Sequence, residues 1–387
     1  MPPGVTVEAP LSVSAAGFGC RVRGLDLSQD LPPPTVQFLL ELFHEHKVLC
    51  VAGQDIDGSF SLAHFERFAN HIGAPLPHPA VTTRYRERPA LQVQSNVVGY
   101  WRPGLAAGHE LKKPSPPSFG WHADIDYEQV PSSATIFVCH TATPTADNSG
   151  KTHFINLESL LKTLPSSFAA AADNIQVERT EPASVSPTFE TAAALNDADS
   201  LTPLVIEHPF SGRRTLYGSL FGARRTAFSG AAPDVIQEVL AAIQPLEERS
   251  DLAAHTYSHE HQRGDVVMWD NYSLWHRAPA QVMVPTVDSP GARLLYRCSV
   301  KGQPSLMLPR SDSEEWLQTH IAGAYRTPLS DILEPASEAI PVARGAGILE
   351  ILKESDMDEI KRSYPDHLAA SMRKAATGLG GEVEDGS

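Results

Sequence analysis

Apolar residues recur at helical spacing in two N-terminal segments. After Pro32 to Pro34, the stretch TVQFLLELFHEHK sets Val36, Leu39, Leu40 and Phe43 on one face and predicts an amphipathic helix. VLCVA at 48 to 52 is continuously apolar and short, which predicts a buried strand. Ser61 stands where an N-cap is needed before Leu62, Phe65, Ala69 and Ile72, and Gly73 ends that second helix. Residues 77 to 121 lose periodicity and are rich in Pro, Gly and aromatics, as lids and binding loops are. Strand-like runs follow in ATIFVCH and THFINL, then helical patterns in LESLLKTLP and PDVIQEVLAAI, the latter with Pro233 in its first turn. From 255 to 301 the pattern is strand-like again: HTYSHEHQ, a turn at Gly264 and Asp265, VVMWD, a loop, and RLLYRCSV.

Short strands broken by Gly and Pro turns, with helices gathered to one side, predict a mainly β chain with peripheral helices: a jelly roll, or double-stranded β-helix. Residues 1 to 303 form the expected catalytic domain, with 77 to 121 as a lid-like insertion. Residues 304 to 387 are expected to be a helical C-terminal extension ending in a disordered acidic tail, GLGGEVEDGS.

Composition narrows the function. With 42% hydrophobic and 20% charged residues the chain can bury a large core, and its net charge of -15 disfavours a nucleic-acid partner, which needs a basic footprint. A small-molecule substrate is expected instead, with a homo-oligomer left open. Cys20, Cys50, Cys139 and Cys298 are far apart and form no CxxC pair, so neither a zinc knuckle nor a disulfide framework is indicated. The start has no cationic or apolar signal region and no stretch is long enough to span a membrane, so a cytoplasmic protein is expected.

Chemistry concentrates at two places. Trp121-His122-Ala123-Asp124 places an imidazole and a carboxylate two residues apart, so on extended backbone both point to the same side and can reach one metal. A lone HxD is near chance in a chain of this composition. The second element, GDVVMWDN followed by His276 and then RLLYR, supplies a third ligand and two arginines, Arg293 and Arg297, four residues apart on one strand face.

These pieces, together with SGKT at 149 to 152 and GRRTLY at 212 to 217, run in the order seen in the taurine dioxygenase (TauD/TfdA) family of Fe(II)/2-oxoglutarate oxygenases, which the chain resembles over roughly residues 15 to 301. The resemblance implies a clavaminate synthase-like, TauD-like fold and iron bound by His122, Asp124 and His276. A 2-His-1-carboxylate set leaves three positions of an octahedral iron open, which suits a chelating 2-oxo acid plus O2. Arg293 then pairs the remote carboxylate of 2-oxoglutarate, with Thr152 as hydroxyl donor to the same group. The expected reaction hydroxylates a small, anionic substrate and releases succinate and CO2.

Arg297 matches the family's arginine for acidic substrates, with a structural ion pair as its plainer reading. His78 falls near a substrate histidine, but Val81 replaces the aromatic found in taurine oxygenases, so the substrate is expected to differ from taurine. Asn96, Tyr100 and Trp101 are placed to line or cover the pocket. Plainer readings stand beside these. His259 with His261 and His44 with His46 are more simply packing or surface residues; Asp126 shares the alternation of 122 and 124 but is at most a support; Trp121 and Trp269 are core; Arg224 and Arg225 are solvated charges. Rival functions are desaturation, cyclisation or oxidative decarboxylation with the same cofactors, and a non-catalytic jelly-roll binding protein whose metal site is vestigial.

Overall fold

A computed structural model describes residues 1–12, 17–75, 84–85, 88–97, 120–126, 131–142, 150–179, 201–220, 225–243, 252–278 and 284–301. Of the segment 77–121 expected to be a lid, residues 84–85, 88–97 and 120–121 are described, and Arg88–Ser95 is instead a strand of the main sheet, paired antiparallel with Arg293–Lys301; the rest of it and the whole C-terminal extension lie outside the described residues.

The first predicted helix spans Pro33–His46 with prolines in its first turn, and buries Val36, Leu39, Leu40 and Phe43. It stops because Lys47 turns left-handed at φ 62°, its N–H closing on the Phe43 carbonyl at 2.6 Å. The second helix, Leu62–Ile72, is capped by Ser61, whose hydroxyl accepts from the His64 N–H while the His64 ring accepts from the Ser61 N–H. Leu62, Phe65, Ala69 and Ile72 are all buried.

A nine-stranded sheet forms the larger layer. Its centre is the long strand Ser132–Ala142, flanked antiparallel by Val266–Asp270 and Arg293–Lys301; Val48–Val51 pairs beyond Val266–Asp270. Gly264 starts this region at φ +82°, and a Cβ there would lie 2.4 Å from the Gln54 carbonyl oxygen, so only glycine fits the turn. The smaller layer has three strands, with Lys151–Asn156 central between Thr256–Glu260 and Leu274–Arg277.

Strand alternation sorts the side chains into three cores. Val266, Met268, Tyr296 and Cys298 face outward beneath the two helices. Phe137, Cys139, Phe154, Val267, Trp269, Leu274 and Leu295 fill the space between the two sheets. Ile155, Trp275 and the helix Pro233–Ile243 pack behind the smaller sheet. This is the expected mainly β jelly roll with peripheral helices, and Trp121 and Trp269 are core residues as expected. The four cysteines are unpaired and buried. Among the described residues no helix is long and apolar enough to cross a membrane.

Candidate iron and co-substrate site

The site lies between the sheets. His122 and His276, distant in sequence, are joined by backbone: each N–H donates to the other's carbonyl, at 3.1 and 2.8 Å, extending the smaller sheet by one antiparallel bridge. Residues paired this way present side chains on the same face, and the two rings lie 4.2 Å apart. Asp124 stands between them, with Oδ1 at 3.6 Å from His122 Nε2 and Oδ2 at 3.5 Å from His276 Nε2. All three donor atoms lie within 4.8 Å of one another.

The surroundings aim these donors. His122 Nδ1 donates to the Gly120 carbonyl at 2.9 Å, which leaves the lone pair on Nε2. Thr135 Oγ1 donates to Asp124 Oδ2 at 2.7 Å and itself accepts from Asn271 Nδ2 at 3.0 Å, while Asn271 Oδ1 accepts from the Asp124 N–H at 3.4 Å. Burial opposes ionisation of Asp124, but Arg297 and both histidines outweigh it and hold the carboxyl well below its usual range. An ionised carboxylate between two imidazoles, one with its lone pair fixed inward, fits a divalent iron.

Asp126 does not follow the expected alternation. Ile125 adopts φ 52°, which turns the chain, and Asp126 Oδ2 accepts from the Ser219 N–H at 2.5 Å. Ser219 Oγ also accepts from the Ala123 N–H at 3.1 Å, so this loop braces the ligand segment from behind.

Arg293, Leu295 and Arg297 share the interior face of their strand. Arg297 Nη2 lies 2.8 Å from Asp124 Oδ1. Arg293 is 6% exposed, has no carboxylate within ion-pair distance among the described residues, and its Nε finds no hydrogen-bond partner among them. Burial lowers its pKa to about 10, still cationic at neutral pH. Its Nη2 donates to Thr152 Oγ1 at 3.4 Å, and His261 Nε2 lies 2.9 Å from the same oxygen. A buried guanidinium without a counter-charge is costly, and a carboxylate bound there would supply that charge.

Asn96 is used differently from expectation. Its Oδ1 accepts from the Arg293 N–H at 2.7 Å and its Nδ2 donates to the Gly291 carbonyl at 2.9 Å, so its amide fastens the Arg293 strand. His78, Tyr100, Trp101 and Arg224 lie outside the described residues, as does the Arg225 side chain. His44 packs on Phe210 with ring centroids 4.6 Å apart, and burial lowers its pKa to about 3. His259 and His261 are buried; the first meets Tyr257 Oη and stands near Cys50 and Asp265, and the second meets Thr152 as above.

No local pattern gives Thr135, Ser219 or the His261 that meets Thr152 a role in the site. Asn271 alone carried a signal, as the last residue of GDVVMWDN; the others depend on pairing between distant strands.

Fold and donor set define the class: a double-stranded β-helix with a 2-His-1-carboxylate cluster. The chain belongs to the taurine catabolism dioxygenase TauD, TfdA family, whose model matches residues 9–299. It is 26% identical over 290 residues to the alkylsulfatase of Acinetobacter baylyi, covering 70% of this chain and 80% of that protein. It is also 26% identical over 307 residues to the (S)-phenoxypropionate/alpha-ketoglutarate-dioxygenase of Sphingobium herbicidovorans, covering 77% and 95%. Its fold is similar to that of a taurine dioxygenase from Burkholderia xenovorans, with a TM-score of 0.55, 23% identity and coverage of 78% and 90%. The chain is therefore an oxidoreductase that uses Fe(II), 2-oxoglutarate and O2, and the non-catalytic alternative is set aside.

Proposed function

We propose that this enzyme hydroxylates a small anionic substrate, with Fe(II) held by His122, Asp124 and His276, 2-oxoglutarate anchored by Arg293 and Thr152, and the substrate anion held by Arg297. The observation that carries this reading is the convergence of three donors with two interior arginines on one strand. The first arginine lacks a counter-charge among the described residues; the second reaches the metal carboxylate at 2.8 Å. Bound iron couples decarboxylation of 2-oxoglutarate to oxidation of the substrate.

The chain's own residues place the reactants. Arg293 fixes one end of 2-oxoglutarate with a planar fork suited to a carboxylate, and Arg297 sets an anionic substrate beside Asp124. Thr135 and Asn271 hold the ligand carboxylate in one orientation. The aromatic interior around Trp269, Phe137 and Phe154 excludes water from the reacting centre.

Alkyl sulfates and aryloxy acids, the compounds named in the relatives above, support the anionic class. In both, a saturated carbon is bonded to an ether-type or ester oxygen, and hydroxylation of that carbon gives a product that breaks down to release sulfate or a phenol. Succinate formation, screened over alkyl sulfates, aryloxy acids, sulfonates and uncharged analogues of each, tests the proposal. Turnover confined to anionic members supports it, and equal turnover of uncharged analogues contradicts it. Arg297→Ala should raise KM for the anionic substrate roughly tenfold or more while leaving KM for 2-oxoglutarate within about twofold. Equal loss of both would overturn the division between the arginines.

A further inference from the structure

The Thr152 hydroxyl has one proton and two lone pairs, and the structure shows what meets the lone pairs. Strand pairing sets His259 opposite Thr152. Two residues on, just past the strand end, His261 brings its Nε2 to 2.9 Å from Thr152 Oγ1. Its Nδ1 is buried and has no hydrogen-bond partner among the described residues. A proton on Nδ1 would be a buried donor with no acceptor, which is rarer and costlier than an unfilled acceptor. The neutral ring therefore carries its proton on Nε2 and donates to Thr152. Burial, His259 and Arg293 together hold the His261 pKa well below its usual value, so the ring is neutral. Arg293 Nη2 donates to the same oxygen at 3.4 Å.

With both lone pairs engaged, the Thr152 proton must point away from His261 and Arg293, toward an acceptor in front of the guanidinium. We infer that His261 is a positioning residue for the co-substrate: it orients the Thr152 hydroxyl so that this group donates to the remote carboxylate of 2-oxoglutarate. The inference rests on the assignment of Thr152 and Arg293 to that carboxylate. Without His261 the hydroxyl rotates freely and can turn a lone pair toward the carboxylate. The Phe137 ring lies 6.0 Å from both the His261 ring centroid and the Arg293 guanidinium carbon, which keeps this corner apolar.

The test is calorimetric titration of 2-oxoglutarate into the Fe(II)-loaded enzyme without O2, with the melting temperature of each variant measured alongside. His261→Leu should weaken binding about tenfold. His261→Gln, which keeps an N–H donor of similar reach, should stay within about threefold of wild type. The double variant Thr152→Ala with His261→Leu should bind no more weakly than Thr152→Ala, because His261 acts through that hydroxyl. Wild-type affinity in His261→Leu, or losses that multiply in the double variant, would overturn the inference. If the leucine variant folds poorly, His261→Met carries the same comparison. The underlying assignment has its own readout: if Arg293→Ala and Thr152→Ala both bind as wild type, the anchor is misplaced; if they lose affinity while His261→Leu does not, only the role of His261 is wrong.

Discussion

Among the described residues, two clusters between the sheets bring three potential metal donors within 4.8 Å, His122 with Asp124 and His276, and Cys50 with His259 and Asp265. Their surroundings differ. In the first, the carboxylate is ionised, Gly120 fixes one imidazole lone pair inward, and the His122 side chain is 31% exposed, which leaves a route of approach. In the second, every residue is at most 1% exposed, Tyr257 Oη meets His259 Nδ1 at 2.9 Å, and the Asp265 carboxylate accepts the Gln262 N–H at 3.3 Å with Arg21 at 3.7 Å. Burial, followed by Asp265, pushes the Cys50 thiol far above its usual range, so it stays protonated in the metal-free chain. Proximity of donors is therefore insufficient; they must be ionised, aimed and reachable.

The sharpest break between the clusters concerns the cation beside each. Arg293→Ala should weaken 2-oxoglutarate about 100-fold, the cost of removing one side of a buried charge pair, measured by anaerobic titration. Arg21, already partnered by Asp265, should leave that affinity unchanged when replaced by Ala; a comparable loss would erase the distinction. Thr135→Val comes next and should lower Fe(II) affinity by about 10–100-fold while the fold persists, because it frees the Asp124 carboxylate to rotate. Competition with a chelator reads this directly, and unaltered affinity would show that Thr135 does not orient the ligand.

The dry cluster is expected to act on stability instead. Burial, then Arg21, lowers the His259 pKa to about 3. The unfolded chain takes up this proton near pH 6.5, so the stability contributed by the neutral ring is complete above that pH and is lost progressively as pH falls toward 3. His259→Leu should flatten this dependence by up to about one proton, seen as a smaller drop in urea midpoint between about pH 7.5 and about pH 5; an identical slope would contradict the assignment. Smallest of all, Cys50→Ser should leave the iron content per chain unchanged, and a lower content would make the second cluster a metal site.

What was legible in the sequence follows the range of the interactions. Helices at Pro33–His46 and Leu62–Ile72 could be read from local periodicity and a serine cap. The two arginines could be placed on one face because strand alternation is a local rule. Asp126 was misplaced by that same rule, since nothing local announced the left-handed Ile125. The pairing of His259 with Thr152, which brings in His261, depends on register between distant strands. Asn96 looked like a pocket residue because of its neighbours, but its partners Gly291 and Arg293 lie nearly two hundred residues away.

In the proposed function, iron and 2-oxoglutarate meet at His122, Asp124 and His276. Anaerobic addition of Fe(II) and 2-oxoglutarate, followed through the weak visible charge-transfer band of the chelate, tests it most directly. Wild-type protein should show the band and His122→Ala should lose it; a band absent from wild type, or retained in the variant, would contradict the assignment.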